Sequence, residues 1–422
     1  MNKETNKLIP ELRFLEFKND GRWEEKKLGN IGDPSMCKRI FKEETTTNST
    51  NGIPFYKIGT FGKEADSFIS NEIYEEYKTK FSFPKKGEIL ISASGTIGRL
   101  VVYDGEPAFF QDSNIVWISN DENEVQNNFL YYIYSLVKWQ TSDGGIIQRL
   151  YNADLKSIDV FFPKNKNEQQ KIADCLSSLD NLITAHTDKL ETLKTYKKGL
   201  MQNLFPQEGE NVPKFRFKEF EKDGQWKTEK IENYIDLFSG IALKSEEISD
   251  DQSGIPILRG INITEGYVRH SKDIDKYFLG NLENLKKYLI KEYDIVIGMD
   301  GSKVGKNVAL IGKEDENSIL IQRVARIRTK KNANIKFVYQ HFISDNFRNY
   351  VDKVNTSSGI PHISSQQIKD FEISFPPVLD EQNKIANTLS YLDNLIHNQV
   401  IKIEQLKSHK KGLMQGLFPR AN

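Results

Sequence analysis

Two stretches of the chain carry mostly apolar residues at alternating steps of four and three. The first runs through Ile172, Leu176, Leu179, Ile183, His186, Leu190, Leu193, Lys197 and Leu200. The second runs through Ile385, Leu389, Leu392, Ile396, Gln399, Ile403, Leu406, Lys410 and Leu413. This is the a/d stripe of a coiled coil, and it predicts two long helices. Asn167 and Asp380 stand at the expected N-caps, with Gln170 three residues after the first. Pro206 and Pro419 stop both helices. About 37 residues at 1.5 Å each give a rod of ~55 Å. Such a helix does not bury its stripe alone, and its own repeat is the nearest partner. His186 and Gln399 interrupt the two stripes at the same heptad position, near the middle of each helix. Middles meet in an antiparallel pair, so His186 and Gln399 are candidates for setting helix register. The alternative is that both tilt to solvent.

Outside these stretches the period changes. FYKIGTF, EILIS, LVVYD and NIVWIS are short strand-like runs with turn residues between them. FLYYIYSLVKWQ is apolar around most of its circumference and predicts a buried helix. The second half supplies PILRGINI, YDIVIGM, NVALIG, ILIQRVARIRT and the helical KFVYQHFISDNFRNYV. There is no βαβ alternation and no dinucleotide fingerprint.

The two halves repeat one another. EQQKIADCLSSLDNLITAHTDKLETLKTYKKGLMQNLFP starts at Glu168, and EQNKIANTLSYLDNLIHNQVIKIEQLKSHKKGLMQGLFP starts at Glu381. They align without a gap, and about 25 of roughly 40 positions agree. PELRFLEFKNDGRWEEKKL at Pro10 matches PKFRFKEFEKDGQWKTEKI at Pro213. Between these anchors the halves diverge. Faint echoes remain in GIPFYKIGTF against GIPILRGINI, and in ILISASGTIG against IVIGMDGSKVG. The expected architecture is α+β: two mixed α/β domains joined by two long antiparallel coiled-coil helices, with an internal pseudo-twofold repeat. The expected boundaries are 1–167 and 211–380 for the domains, and 168–210 and 381–422 for the helices.

Composition narrows the class. The 422 residues are 38% hydrophobic and 28% charged, with a formal net charge of zero. No run approaches the ~18 apolar residues of a membrane span, and the start MNKETNKLIPELRF has no apolar signal region. The two cysteines, Cys37 and Cys175, lie in different segments, which points to a reducing cytoplasm. Zero net charge counts mildly against a chain coated in nucleic acid, but a single basic face remains compatible with it. Local clusters exist at Lys85-Lys86, at Lys286-Lys287, and along Arg323, Arg326, Arg328 and Lys330-Lys331. Catalytic signatures are missing. SGTIG and GSKVG do not satisfy the phosphate-loop pattern. FPP at Phe375 lacks the polar residue of an amino-methyltransferase motif, and the six histidines have no recognised spacing. The chain is read as non-catalytic, with no cofactor and no metal of its own.

The order PELRFLEF…GRWEEKKLG, GIPFYKIGTF, ILISASGTIG, FFPKNKNEQQKIADCLSSLDNLI and KKGLMQNLFP, with its counterparts in the second half, resembles the specificity subunit of type I restriction–modification systems. The resemblance covers nearly the whole chain, and the doubled EQQKIA…KKGLMQ(N/G)LFP segment is its specific part. It implies that each variable domain is a target recognition domain reading one half of a split, asymmetric duplex DNA target. It implies that the helices set the spacing and dock two methyltransferase (M) subunits, with Lys197, Lys198, Leu204, Phe205, Lys410, Lys411, Leu417 and Phe418 as candidate docking residues. It also implies that S-adenosylmethionine, for adenine-N6 methylation, belongs to the M subunits. ATP and Mg likewise belong with partners, where restriction (R) subunits drive cleavage. At about 3.4 Å per base pair, a ~55 Å rod spans about 16 base pairs. The other readings are a two-headed protein-binding scaffold and an enzyme with unfamiliar motifs.

Within that reading, two glycine-rich turns are candidate DNA contacts: Ser94-Gly95-Thr96 and Gly301-Ser302-Lys303. Both follow a buried strand, and their amides are suited to phosphate; the other reading is a hairpin that both halves need. A second pair of segments holds Gln148 and Arg149 in one half, and Ser357, Ser358 and His362 in the other. These segments differ between matching scaffolds, as specificity loops would, although surface drift gives the same pattern. Phe41 and Tyr56 are assigned to the cores.

Overall fold

The heptad stripes become two 39-residue helices, Lys166–Leu204 and Leu379–Leu417. A computed structural model describes residues 8–50, 52–139, 149–355 and 360–419. Every stripe position named above is buried or half-buried, including the polar His186, Lys197, Gln399 and Lys410. The helix starts differ slightly from expectation. The Asn165 side chain accepts the amide of Asn167 (3.0 Å), and its carbonyl accepts the amides of Glu168 and Gln169. Asn165 therefore does the capping, and Asn167 lies in the first turn. Asp380 likewise falls inside the first turn of its helix. Gln170 reaches Asn128 and Asp174 instead of closing a capping box. No helix among the described residues is long and apolar enough to cross a membrane.

The chain divides into two compact units. One comprises Met1–Thr187 with Lys402–Asn422, the other Asp188–Ile401. In the first unit, the start of one long helix lies against the end of the other. Asp180 pairs with Lys410 at 2.5 Å. Ile172, Ala173 and Leu176 share a core with Trp23, Phe129, Leu417 and Phe418. Rising numbers meet falling numbers, so the two segments are antiparallel. The second unit repeats this from the other helix ends. Asp393 pairs with Lys197 at 2.5 Å. Ile385, Ala386 and Leu389 share a core with Trp226, Phe337 and Leu204, and Phe205 packs against it.

The repeated words of the sequence are the parts of this frame. Arg13 donates two hydrogen bonds of 2.7 Å to Glu168, and Arg216 does the same to Glu381 at 2.8 and 2.7 Å. Both carboxylates are fully buried. The next residue, Gln169 or Gln382, accepts the amide of Gln126 or Asn334. Its side-chain amide donates to Glu124 and Pro163 carbonyls in the first unit and to the Asn332 carbonyl in the second. Each helix start is thus tied to its own unit. Each LFP ending is buried under a tryptophan: Phe418 at 5.8 Å from Trp23, and Phe205 at 6.3 Å from Trp226.

The strands follow the short apolar runs. In the first unit the strand Ile89–Ser92 is buried along its whole length. It pairs antiparallel with Leu100–Val102 and Ile115–Asn120, and the latter also pairs with Gly32–Ser35. A smaller sheet joins Ile53–Tyr56 to Phe68–Ile69 and, in parallel, to Phe109–Phe110. In the second unit Ile295–Gly298 takes the same central place, between Val308–Leu310 and Val324–Thr329.

Two runs break where the pattern predicted continuity. ILIQRVARIRT divides into the strands Ile319–Leu320 and Val324–Thr329, because Arg323 adopts φ +69°. KFVYQHFISDNFRNYV divides into the helices Ile335–Phe342 and Asp345–Val354, because Ser344 turns extended and caps the second through the Phe347 amide.

The His341 ring is packed on Phe205 and Phe337, at 4.6 and 5.0 Å between centroids, with Nε2 buried. Burial pushes its pKa down from 6.5 to about 3. The folded state therefore stays neutral while the unfolded chain takes up a proton below pH 6.5. This contribution to stability is complete above pH 6.5 and falls as pH drops toward 3, by at most about 1.4 kcal/mol per pH unit. Urea denaturation at pH 7 and pH 5 is expected to show a smaller acid loss for His341→Leu than for the wild-type chain.

Candidate nucleic-acid interface

The buried strand Ile89–Ser92 ends in Ala93, whose backbone is held from both sides. Its amide donates to the Asn114 carbonyl and its carbonyl accepts from Leu150, both at 2.8 Å. Met299 is the equivalent in the second unit: its amide donates to Arg323 and its carbonyl accepts from Ile363, both at 2.9 Å. The next residues form isolated bridges, Ser94 with Arg149 and Asp300 with His362. The structure therefore brings the glycine turn together with Arg149 in the first unit and with His362 in the second, at the edge of the sheet where its central strand ends. They were independent candidates in the sequence.

Both turns need their glycines. Gly98 and Gly305 have φ of +83° and +79°. A Cβ on Gly98 would lie 2.1 Å from the Trp139 ring, and one on Gly305 would lie 2.9 Å from Val351. Gly98 lets its turn lie against Trp139, and Gly305 lets its turn lie against the helix Asp345–Val354. Gly301 differs: φ is +99°, and nothing lies within 4 Å of where its Cβ would be. Gly95, Thr96, Ser302 and Lys303 are exposed or border open space, whereas Ser94 and Arg149 are half-buried. Gln148, Ser357 and Ser358 lie outside the described residues.

The edges carry different side chains. In the first unit Ser94 Oγ donates to Asn114 Oδ1 (2.8 Å), and Arg149 Nη2 donates to the Ser113 carbonyl (2.7 Å). Arg39 Nε pairs with Asp112 at 3.2 Å. In the second unit Asp300 is shared: Oδ2 accepts from Arg323 Nε at 3.0 Å, and Oδ1 meets His362 Nδ1 at 2.5 Å. Such a layout offers backbone amides and an exposed Lys303 for phosphate, and guanidinium and imidazole groups for base edges.

Sequence reasoning did not select Arg39, Asp112, Asn114 or Asp300. A signal for the last strand was present: the polar pair Gln322-Arg323 interrupts an otherwise apolar run. The neighbouring arginines serve the core. Arg326 is buried over the Phe238 ring and pairs with Asp236, and Arg328 pairs with Asp294. Phe41 is 56% exposed, which corrects its assignment to the core, whereas Tyr56 stacks on Phe110 at 5.8 Å.

The candidate docking residues are also rearranged. Leu204, Phe205, Leu417 and Phe418 fill the chain's own cores, and Lys197 and Lys410 are held by Asp393 and Asp180. The helix ends that carry these six are inserted into the units, so the chain itself supplies a packing or ion-pair partner for each of them. Lys198 and Lys411 are exposed, Lys198 pairing with Asp345 at 2.9 Å. Of the register candidates, His186 is half-buried in the first unit and Gln399 buried in the second.

Comparison with known proteins agrees with the doubled frame. A family model described as the type I restriction modification DNA specificity domain matches residues 21–195 and again residues 224–407. A Haemophilus influenzae protein described as a type I restriction enzyme specificity subunit is 55% identical over 163 residues. That match covers 39% of this chain and 42% of the relative, less than half of its length. The type I restriction enzyme MjaVIII specificity subunit of Methanocaldococcus jannaschii is 27% identical over 370 residues, 83% of this chain and 84% of the relative. The crystal structure of a type I restriction-modification system S subunit from M. genitalium superposes with a TM-score of 0.65 at 17% identity. It covers 98% of this chain and 100% of that one, a likeness of fold. With both halves matched over most of their length, the chain belongs to the family of type I restriction modification DNA specificity domain proteins.

Proposed function

We propose that the chain is the DNA-recognition subunit of a type I restriction–modification complex, working in the cytoplasm, in which each unit reads one half of a bipartite, asymmetric target. The observation that carries this reading is the pair of sheet edges. The two units share a frame of Arg–Glu clamp, glutamine anchor and buried tryptophan, and each also has an edge built at matching positions from different residues. One frame presenting two unlike surfaces suits a target with two unlike half-sites. The chain itself contributes binding and placement. Adenine-N6 methylation, with its S-adenosylmethionine, belongs to two M subunits, and ATP- and Mg-dependent restriction belongs with R subunits. The two long helices fix the gap between half-sites and offer exposed Lys198 and Lys411 toward partners.

The test is to map methylated adenines in DNA from cells expressing the chain with its methyltransferase subunit. The expected result is one motif of two different half-sites separated by a constant gap. No new methylation, or a single continuous or palindromic motif, would contradict the reading.

A further inference from the structure

The two sheet edges share a device that the sequence alignment does not show. In each unit a mostly exposed arginine has its Nε held by an aspartate of the edge. Arg323 is 68% exposed, with Nε 3.0 Å from Asp300; Arg39 is 63% exposed, with Nε 3.2 Å from Asp112. The arginines come from unrelated places in the chain. Arg39 precedes the first sheet's inner strands, whereas Arg323 is the residue immediately before Val324–Thr329.

Anchoring through Nε has a chemical consequence. It fixes the plane of the guanidinium and leaves Nη1 and Nη2 as a free parallel donor pair. Two parallel donors in one plane match the O6 and N7 acceptors of guanine in the major groove, the commonest specific arginine contact. The aspartates are 22% and 16% exposed, so they are seated in the edge and hold the arginines from behind. Arg323 also keeps φ at +69°, a conformation uncommon outside glycine and asparagine. The corresponding turn of the first unit has Ser113 at φ +60°, so the left-handed backbone belongs to the turn itself and the exposed arginine is carried on it. Arg149 is different: its Nη2 is already committed to a carbonyl, which makes it a brace for the 112–114 segment.

We infer that each unit reads a guanine through an aspartate-anchored arginine: Arg39 on Asp112 in the first unit and Arg323 on Asp300 in the second. The inference rests on the DNA-recognition reading above and adds the base and the side chain to it. It states that each half-site contains at least one G·C pair whose identity depends on one arginine.

The test uses the full chain with its methyltransferase subunit in a host lacking adenine methylation, with methylated motifs mapped for wild type, Arg39→Gln and Arg323→Asn. Asparagine tolerates the left-handed backbone at position 323. Arg323→Asn is expected to relax one G·C position in one half-site by roughly 10- to 100-fold and to leave the other half-site intact. Arg39→Gln is expected to do the converse. An unchanged motif overturns the inference and marks both arginines as surface ion pairs. Equal weakening at every site, or loss of methylation with an unchanged melting temperature, also overturns it, since a phosphate contact carries no base preference. If a variant melts earlier and methylates nothing, Asp300→Asn and Asp112→Asn decide: relaxation at one G·C position supports the inference, and an unchanged motif overturns it. A wild-type chain that yields no bipartite motif defeats the functional reading itself, which keeps the two failures distinct.

Discussion

Replacing Arg216 with methionine is expected to destabilise the second unit by about 3–5 kcal/mol, a large share of an ordinary domain's margin of about 5–15 kcal/mol. The cause is the partner left behind. Glu381 is fully buried at the start of its helix, and both of its oxygens are held by Arg216 at 2.8 and 2.7 Å. The guanidinium also donates to the Gly224 carbonyl at 2.7 Å, so it ties the unit's first turn to the helix. Methionine fills much of the volume but leaves a carboxylate with neither water nor counter-charge. The double change Arg216→Met with Glu381→Leu removes both charges, and is expected to recover most of the loss, since buried pairs are often no better than apolar residues of similar size. Arg13→Met should act in the same way through Glu168, but on the first unit. Hydrogen exchange read along the chain checks both claims. Protection should fall within residues 188–401 for Arg216→Met, and within 1–187 and 402–422 for Arg13→Met. Uniform loss for either variant, or none, would show that the clamps do not act unit by unit.

These clamps also show how far the sequence could be read. The heptad stripes were legible because burial along a helix repeats locally, and all eighteen chosen positions turn inward. The doubled ELRF/KFRF and EQQKIA/EQNKIA words were legible as repeats. Their chemistry was not, because Arg13 meets Glu168 across 155 positions and no local period encodes such a contact. The same holds for the proposed interface. The turn around Gly95 and the segment ending at Arg149 were each visible as glycine-rich or divergent, but their meeting at the Ser94 bridge depends on strand register. Arg39 and Asp112 gave no signal at all, since an isolated charged residue in a loop looks like any solvated one. Arg323 gave a partial one, in the polar break of its strand run. The KKGLM…LFP endings carry the docking residues that the family resemblance implies, and nothing in their local pattern shows that each also plugs the core of a unit.

That plug gives the other large expected effect. Phe418→Ala should cost the first unit about 3–5 kcal/mol, and Leu417→Ala about 2–5 kcal/mol, the range for large-to-small changes in a packed core. Phe418 is 5% exposed; its ring stacks on Phe129 at 5.5 Å and meets Trp23 edge-on at 5.8 Å. Just before it, the Gly416 carbonyl accepts the Leu12 amide at 2.8 Å. A Cβ on Gly416 would come within 2.5 Å of the Leu12 side chain, so the N-terminal arm lies directly on this helix end. A substitution among the last few described residues should therefore loosen the domain written first in the sequence. The equivalent change in the other unit, Phe205→Ala, should act on Trp226, Phe337 and His341 instead, and its damage should stay within residues 188–401. Tryptophan fluorescence alone does not separate the two, because both units hold buried tryptophans, Trp23 and Trp117 in the first and Trp226 in the second. Exchange protection does: Phe418→Ala should expose amides of the Asn127–Leu136 helix, whereas Phe205→Ala should expose those of Ile335–Phe342. If Phe418→Ala instead frays only the end of its own helix and leaves Asn127–Leu136 protected, the helix end is an appendage and the shared frame built on it fails.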